Sequence, residues 1–263
     1  MMRENRIRRL IAENGTTLGT RIESPQPYFT ELIGASGQFD YIELVAEYTA
    51  LAQADLENIA RAAELYDMGS MIKVDFQNRG FMAQKAAASG FQAIMFTDHK
   101  DAEEVKESVY LMKSDSPAGG GCFGYPNRRF IGCQPYLPQM EHAKRVDDIV
   151  LVFMIEKKEA VDHLEEICSV PGVDMLQFGP SDYSMSLGWN AAEHKEETAA
   201  VHKYMIETAL AHGVRPRVEI FGEPEDALPY IEMGVRDFCF GDQIGTMRKF
   251  LNGPSVKMRG LMP

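Results

Sequence analysis

Residues Ile149 to Ile155, IVLVFMI, form an unbroken apolar run closed by a carboxylate, Glu156. A strand wetted on one side alternates polar and apolar positions, so a run of this kind suits a strand buried on both faces, as in a parallel sheet covered by helices. Glu156 then stands at the strand's carboxyl end. After a short amphipathic helix, a second buried strand runs into the turn Phe178-Gly179-Pro180-Ser181-Asp182, which puts Asp182 in the same kind of place. Carboxyl ends of strands are where parallel α/β folds build their active sites. Two acidic residues on adjacent strand ends suit one divalent ion, with positions left for water and a substrate's oxygens. Each carboxylate alone reads more simply as a helix cap or a first-turn acid favoured by the helix dipole. The pair points to more, because the turn Gly179-Pro180-Ser181-Asp182 also supplies backbone N–H groups at a helix start, an anion seat. A cation beside an anion seat is what binding a 2-oxo acid requires.

The same alternation runs along the whole chain. Strands are expected at Leu18–Ile22, Asp40–Val45, Met71–Asp75, Ala93–Phe96, Ile149–Ile155, the stretch before Gly179, Pro216–Ile220 and Asp237–Asp242, with helical patterns between them. Ser114–Met140, rich in Gly, Pro and aromatics, breaks the rhythm and reads as a long loop around one short strand. With no linker and no shift in composition, residues 1–263 are expected to form a single (β/α)8 TIM barrel of the α/β class, with an N-terminal helix capping one end. Neither a dinucleotide fingerprint nor a phosphate-binding P-loop occurs. The net charge of −12 argues against nucleic acid as a partner. No apolar stretch is long enough to span a membrane. Cys122, Cys133, Cys168 and Cys239 lack metal-site or disulfide spacing and fit a cytoplasmic protein.

The stretches LGTR, FDYIELVAEY, IKV, FMIE, FGPSDYS and DFCFGDQ together resemble the HpcH/HpaI aldolase and citrate lyase family, the class II pyruvate aldolases such as 2-dehydro-3-deoxyglucarate aldolase and 2,4-dihydroxyhept-2-ene-1,7-dioate aldolase. The resemblance implies a metal-dependent aldolase, a lyase that cleaves or forms a 2-oxo acid through a metal-stabilised, pyruvate-type enolate. By position, Glu156 and Asp182 are then ligands of magnesium, manganese or cobalt, and the turn Gly179-Pro180-Ser181 binds the substrate, the amides of Ser181 and Asp182 meeting its carboxylate. A homo-oligomer, trimer or hexamer, is implied as well, with the C-terminal helix packed on a neighbour. Its partners are a 2-oxo acid and an aldehyde.

Several positions depart from the family's pattern. Where the family has Asp-x-Glu-His at the end of the second strand, with the histidine as the proposed base, this chain has Val45-Ala46-Glu47-Tyr48. An arginine becomes Lys73, a glutamine Met154, an Arg-Gly pair Gly121-Cys122 and a tryptophan Arg21. The catalytic candidates are therefore Lys73, Tyr48, Glu47 and His99. Lys73 keeps a cation as a point charge, and a Schiff base on it is the less favoured mechanism beside a metal pair. Tyr48 either protonates a carbonyl or fills the histidine's space. His99 is either a relocated base or a surface histidine in a helix's first turn. Arg21, with Arg128 and Arg129, is a candidate for a distal carboxylate or phosphate. A decarboxylase, an acyl-CoA lyase or hydrolase of the citrate lyase type, and a non-catalytic paralogue are the competing readings.

Overall fold

The computed structural model describes residues 4–133 and 137–263. Strands β1 (Thr17–Ile22), β2 (Tyr41–Val45), β3 (Gly69–Val74), β4 (Ala93–Phe96), β5 (Val150–Ile155), β6 (Met175–Phe178), β7 (Arg215–Ile220) and β8 (Asp237–Asp242) pair in parallel in sequence order. β8 returns to pair with β1, which closes the barrel. The register between β1 and β8 shifts between Gly19 and Arg21, an irregularity that lies toward the rim.

The helices form where the apolar spacing places them, with local exceptions that have physical causes. The helix Ala102–Met112 starts at Asp101, whose side chain accepts from the amides of Glu103 (2.9 Å) and Glu104 (3.0 Å). Between β5 and β6 the expected single helix is two, Lys158–Asp162 and Leu164–Cys168, because His163 leaves helical geometry (φ −105°, ψ 18°). Before β8, Pro229 lacks the N–H that would continue a helix from the 3-10 turn Pro224–Ala227 into Leu228–Glu232. In the Ser114–Met140 segment, part of which lies outside the described residues, the expected strand is reduced among the described residues to one bridge between Ser114 and Phe123, followed by a 3-10 turn at Arg128–Ile131.

Alternate residues of each strand face the barrel interior, and this splits the apolar residues into two layers. Tyr41, Met71, Ala93, Met95, Val150, Val152, Met154 and Met175 pack inside the barrel. Ile42, Ile72, Ile94, Phe96, Phe153 and Leu176 pack outward under the helices. The N-terminal helix Arg6–Ala12 inserts Ile7 into the interior layer and so plugs that end. Arg8 pairs with Asp174 (2.6 Å), Arg6 with Asp40 (2.8 Å), and Asn5 Nδ2 donates to the carbonyls of Gln92 (2.8 Å) and Asp148 (2.9 Å).

Above this plug the interior turns polar. Arg217 is wholly buried and donates to Tyr41 Oη (2.7 Å), Gln177 Oε1 and Glu43 Oε2. The Tyr41 ring fits because residue 19 is glycine: a Cβ there would lie 2.4 Å from the ring. Removing one partner of a buried ion pair leaves an uncompensated charge and costs on the order of 3–5 kcal/mol. Arg217→Met is expected to lower unfolding stability by about that amount, whereas Glu43→Leu combined with Arg217→Met recovers most of it. Urea titration of the two variants against the parent checks both.

Candidate active site

The carboxyl ends of β2, β3, β5 and β6 bring together most of the expected residues. Lys73, near the end of β3, points inward, and its Nζ lies 2.7 Å from Glu47 Oε2 in the segment after β2. Burial lowers the Lys73 pKa, but Glu156 and Glu47 more than offset it, so the amine is held protonated above the usual lysine range. That state opposes a Schiff base and favours a fixed positive charge. Tyr48 stands at the mouth, 74% exposed, its ring centroid 5.7 Å from Lys73 Nζ. Partial burial and then the neighbouring Glu47 raise its pKa above the ordinary phenol value, so it remains a proton donor.

Glu156 follows β5 directly and is 1% exposed. The Asp98 amide donates to its Oε1 (2.9 Å), and Asp98 takes a left-handed backbone conformation (φ 62°) that few non-glycine residues adopt. The Asp98 carboxylate is held in turn by Lys157 Nζ at 2.6 Å. Burial pushes the Glu156 pKa up to about 7, against the opposing pull of Lys73 and the Asp98 amide, and the charge of Asp182 adds to the rise. Gly179 makes room for this carboxylate: a Cβ on residue 179 would lie 2.7 Å from both Glu156 Cβ and Oε2. Asp182 is half-buried in the first turn of the helix Pro180–Ser186, with Pro180 and Ser181 exposed beside it. A buried carboxylate cradled against a glycine, with a second carboxylate near enough for its charge to be felt, fits a hard divalent cation with oxygen ligands.

Arg21, at the end of β1, lies with Val45, Tyr48, Glu23 and Ser24 around a cavity of about 400 Å³. Its guanidinium is 3.3 Å from both Glu219 and Glu23 and stacks over Phe221 at 5.5 Å.

The structure keeps His99 away from this group. It is 1% exposed, its ring edge-on to Phe76, Phe96 and Phe153 in the layer between sheet and helices. Its Nδ1 bonds the Thr97 carbonyl (2.8 Å) and its Nε2 the Ser108 hydroxyl (2.6 Å), so both nitrogens are engaged. It is neither the relocated base nor the surface histidine that the sequence suggests. Arg129 also points elsewhere, pairing with Glu64 (2.6 Å) and the Ser89 carbonyl (2.7 Å). The sequence reading passed over Glu43, Gln177, Arg217 and Glu219. The signal for the last two was present: Arg215, Arg217 and Glu219 alternate with Pro216, Val218 and Ile220, which puts three ionisable side chains on one face of a buried strand.

Carboxylates gathered around one salt-bridged lysine at the strand ends place the protein among the (β/α)8 enzymes. The particular family follows from comparison: the profile of the HpcH/HpaI aldolase/citrate lyase family matches residues 47–236, and the chain belongs to that family. The 2-dehydro-3,6-dideoxy-6-sulfogluconate aldolase of Pseudomonas putida is 25% identical over 253 residues, covering 95% of this chain and 96% of that protein. The HpcH/HpaI aldolase of Desulfitobacterium hafniense DCB-2 has the same fold, with a TM-score of 0.86 at 20% identity over 98% of this chain and 97% of its own. The CitE protein of Mycobacterium tuberculosis, solved with magnesium and pyruvate, is more distant: TM-score 0.57 at 13% identity over 86% of this chain and 85% of its own. The family and its aldolase relatives make this chain a carbon–carbon lyase of the aldolase class, and the citrate lyase type is the weaker likeness.

Burial, and after it Arg79, lowers the His99 pKa to about 4. A histidine depressed in the folded state takes up its proton first in the unfolded chain, so its contribution is complete above about pH 6.5 and is lost as pH falls toward 4. His99→Gln, which keeps a polar partner but does not titrate, is expected to remove about 2–3 kcal/mol of the stability lost between pH 7 and pH 4.5. Urea midpoints of parent and variant at the two pH values test this.

Proposed function

We propose that this protein makes or breaks the carbon–carbon bond next to a 2-oxo acid, with pyruvate as the nucleophilic half and an aldehyde as the other, and that it works with a divalent cation held by Glu156 and Asp182. The observation that carries this reading is the buried Glu156 carboxylate, cradled by Gly179 and within the field of the Asp182 charge, with the Lys73 ammonium fixed nearby by Glu47. A divalent cation bound there supplies Lewis-acid stabilisation of the negative charge that develops on the oxo-acid oxygen.

The chain's own residues supply the rest. The amides of Ser181 and Asp182, at the start of the helix Pro180–Ser186, meet the substrate carboxylate. Lys73 places a second positive charge near the developing oxyanion, and its salt bridge with Glu47 keeps it there without reorganisation during the reaction. Tyr48 holds its proton at the mouth and closes over the aldehyde. Arg21 borders the aldehyde's cavity and orients its polar end. Magnesium, manganese and cobalt all suit two carboxylates with open positions.

Proton–deuterium exchange at the pyruvate methyl, followed by NMR, tests the reading. With manganese or magnesium the wild type is expected to exchange these protons, and EDTA or Glu156→Gln to slow exchange by on the order of 100-fold or more. Absence of exchange with every metal would refute pyruvate as the substrate.

We further propose that the protein is a cytoplasmic homo-oligomer, a trimer or hexamer. The helix Gln243–Asn252 leaves Ile244, Met247, Phe250 and Leu251 between 40% and 61% exposed, and none of its residues is buried. A second copy of this chain is the natural cover for that face. Sedimentation is expected to show an oligomer, shifted toward monomer by Phe250→Asp with Leu251→Asp. A wild type that sediments as a monomer at micromolar concentration would rule this out.

A further inference from the structure

The barrel interior holds a second set of ionisable groups that the chemistry above leaves without a role. Glu219, near the end of β7, faces inward on the same side of the strand as Arg217. Its carboxylate oxygens, those of Glu43 on β2 and the thiol of Cys239 on β8 include ligand atoms that all lie within 4.8 Å of one another. Such a trio resembles a cation site, but its counter-charges are already present. Arg217 bonds Glu43, and Arg21 meets Glu219 at 3.3 Å. Two guanidinium groups beside the trio oppose a further divalent cation.

What the trio lacks is a hydrogen. Glu43 is wholly buried, and its Oε1 has no hydrogen-bond partner. A buried carboxylate oxygen without a partner is costly. Of the two groups beside it, a thiol is a weak donor, whereas a protonated Glu219 is a strong one. The charged and titratable groups facing Glu219 are Arg21 on β1, Glu43 on β2, Lys73 on β3, Arg217 on its own strand and Cys239 on β8. Burial and the Glu43 charge raise its pKa against the lowering by Arg21, Arg217 and Lys73.

Among the described residues the reaction proposed above also lacks a group free to accept the hydroxyl proton in cleavage. His99 is sealed in the outer layer, Lys73 and Tyr48 hold their protons, Glu47 is tied to Lys73, and Glu156 and Asp182 are committed to the cation. The Glu219 side chain keeps 17% of its surface exposed, and its carboxylate lies 3.3 Å from Arg21, which borders the cavity described above.

We propose that Glu219 and Glu43 share one proton, and that Glu219 is the proton carrier of the carbon–carbon bond step. This rests on the aldolase reading. In cleavage, the ionised Glu219 takes the proton of the hydroxyl. The O–H electron pair becomes the second bond of the aldehyde carbonyl, the carbon–carbon pair passes into the enolate of the 2-oxo acid, and solvent protonates the enolate carbon. In addition, the protonated Glu219 gives its proton to the aldehyde oxygen as the new bond forms. Cleavage therefore needs the ionised form and addition the protonated form, so their rates run in opposite directions with pH through the same titration.

The test uses Glu219→Gln, whose amide still donates to Glu43, and Glu219→Asp as the conservative partner. Infrared difference spectra of wild type against Glu219→Gln at neutral pH are expected to show one protonated carboxyl that the variant lacks. Cleavage of 4-hydroxy-2-oxopentanoate, the pyruvate–acetaldehyde adduct, is expected to fall by about 10²–10⁴-fold in kcat in Glu219→Gln, with KM little changed, and to recover in part in Glu219→Asp. Both pH limbs should vanish in Glu219→Gln, while metal-dependent exchange at the pyruvate methyl stays within about threefold of wild type. Cleavage within tenfold of wild type in Glu219→Gln, or protonated-carboxyl absorption that is unchanged in Glu219→Gln, would overturn the proposal. A wild type with no pyruvate exchange would instead remove the aldolase reading and the catalytic role with it, and the infrared band would still decide whether the proton is shared.

Discussion

Arg217 sits with no solvent contact in the middle of the barrel, and the surrounding residues keep it charged and bonded. Tyr41 and Glu43 reach it from β2 and Gln177 from β6, so one guanidinium ties β7 to strands on either side of the barrel interior. Five donors in a fixed plane suit such a place better than an ammonium, because several acceptors can be met without reorienting the group. The arrangement extends to backbone choice. A side chain on residue 19 would displace the Tyr41 ring, and with it an acceptor of the Arg217 guanidinium. Burying the arginine's charge also shapes the electrostatics above it. Arg217 pushes its pKa far above the usual value through Glu43 and Tyr41 despite the cost of burial, and its field reaches Glu219 and Cys239.

The barrel is thus layered along its axis. Ile7 and the methionines and valines of the interior form an apolar plug, Arg217 and its acceptors a paired charge layer, and Lys73, Glu47, Glu156 and Asp182 the rim. The plug keeps water out from one end, so interactions in the two layers above act in a poorly screened medium. That is why Lys73 is held as an ammonium although it is nearly buried, and why an unpartnered oxygen on Glu43 matters. Charge already in position before a substrate arrives is what electrostatic catalysis requires, which supports the role proposed for Lys73.

The parts of this organisation legible in the sequence were those written in continuous patterns. The apolar run ending in Glu156 and the turn ending in Asp182 marked two strand ends, and strand–helix alternation marked a barrel that the structure closes from β1 to β8. Glu43 was not legible, because a strand buried on both faces does not reveal which face looks into the barrel; only closure distinguishes Tyr41 and Glu43 from Ile42 and Leu44. His99 misled for a different reason. Thr97-Asp98-His99-Lys100-Asp101 reads as a polar helix start, but the left-handed turn at Asp98 folds the imidazole back under Ser108 and among three aromatic rings. Nothing in the spacing of those residues reports a single reversed φ. Tyr48 follows β2 and Lys73 lies near the end of β3, yet the salt bridge to Glu47 that helps determine the lysine's state is a contact between strand ends that periodicity cannot express.

Met154 connects the divergent positions to the site's chemistry. It is two residues before Glu156 on the same inward face, and its methyl group would lie 3.0 Å from a Cβ on residue 179. A thioether under the carboxylate offers no strong donor, so among the described residues the Asp98 amide is the hydrogen-bond donor that Glu156 meets. With one donor and a buried environment, the carboxylate is left near neutrality between its charged and uncharged forms, at a pKa of about 7. A hydrogen-bond donor at 154 would favour the ionised carboxylate and lower its pKa. The apolar Met154 leaves Glu156 partly protonated near neutral pH, so in the reading proposed above a cation arriving there would displace a proton.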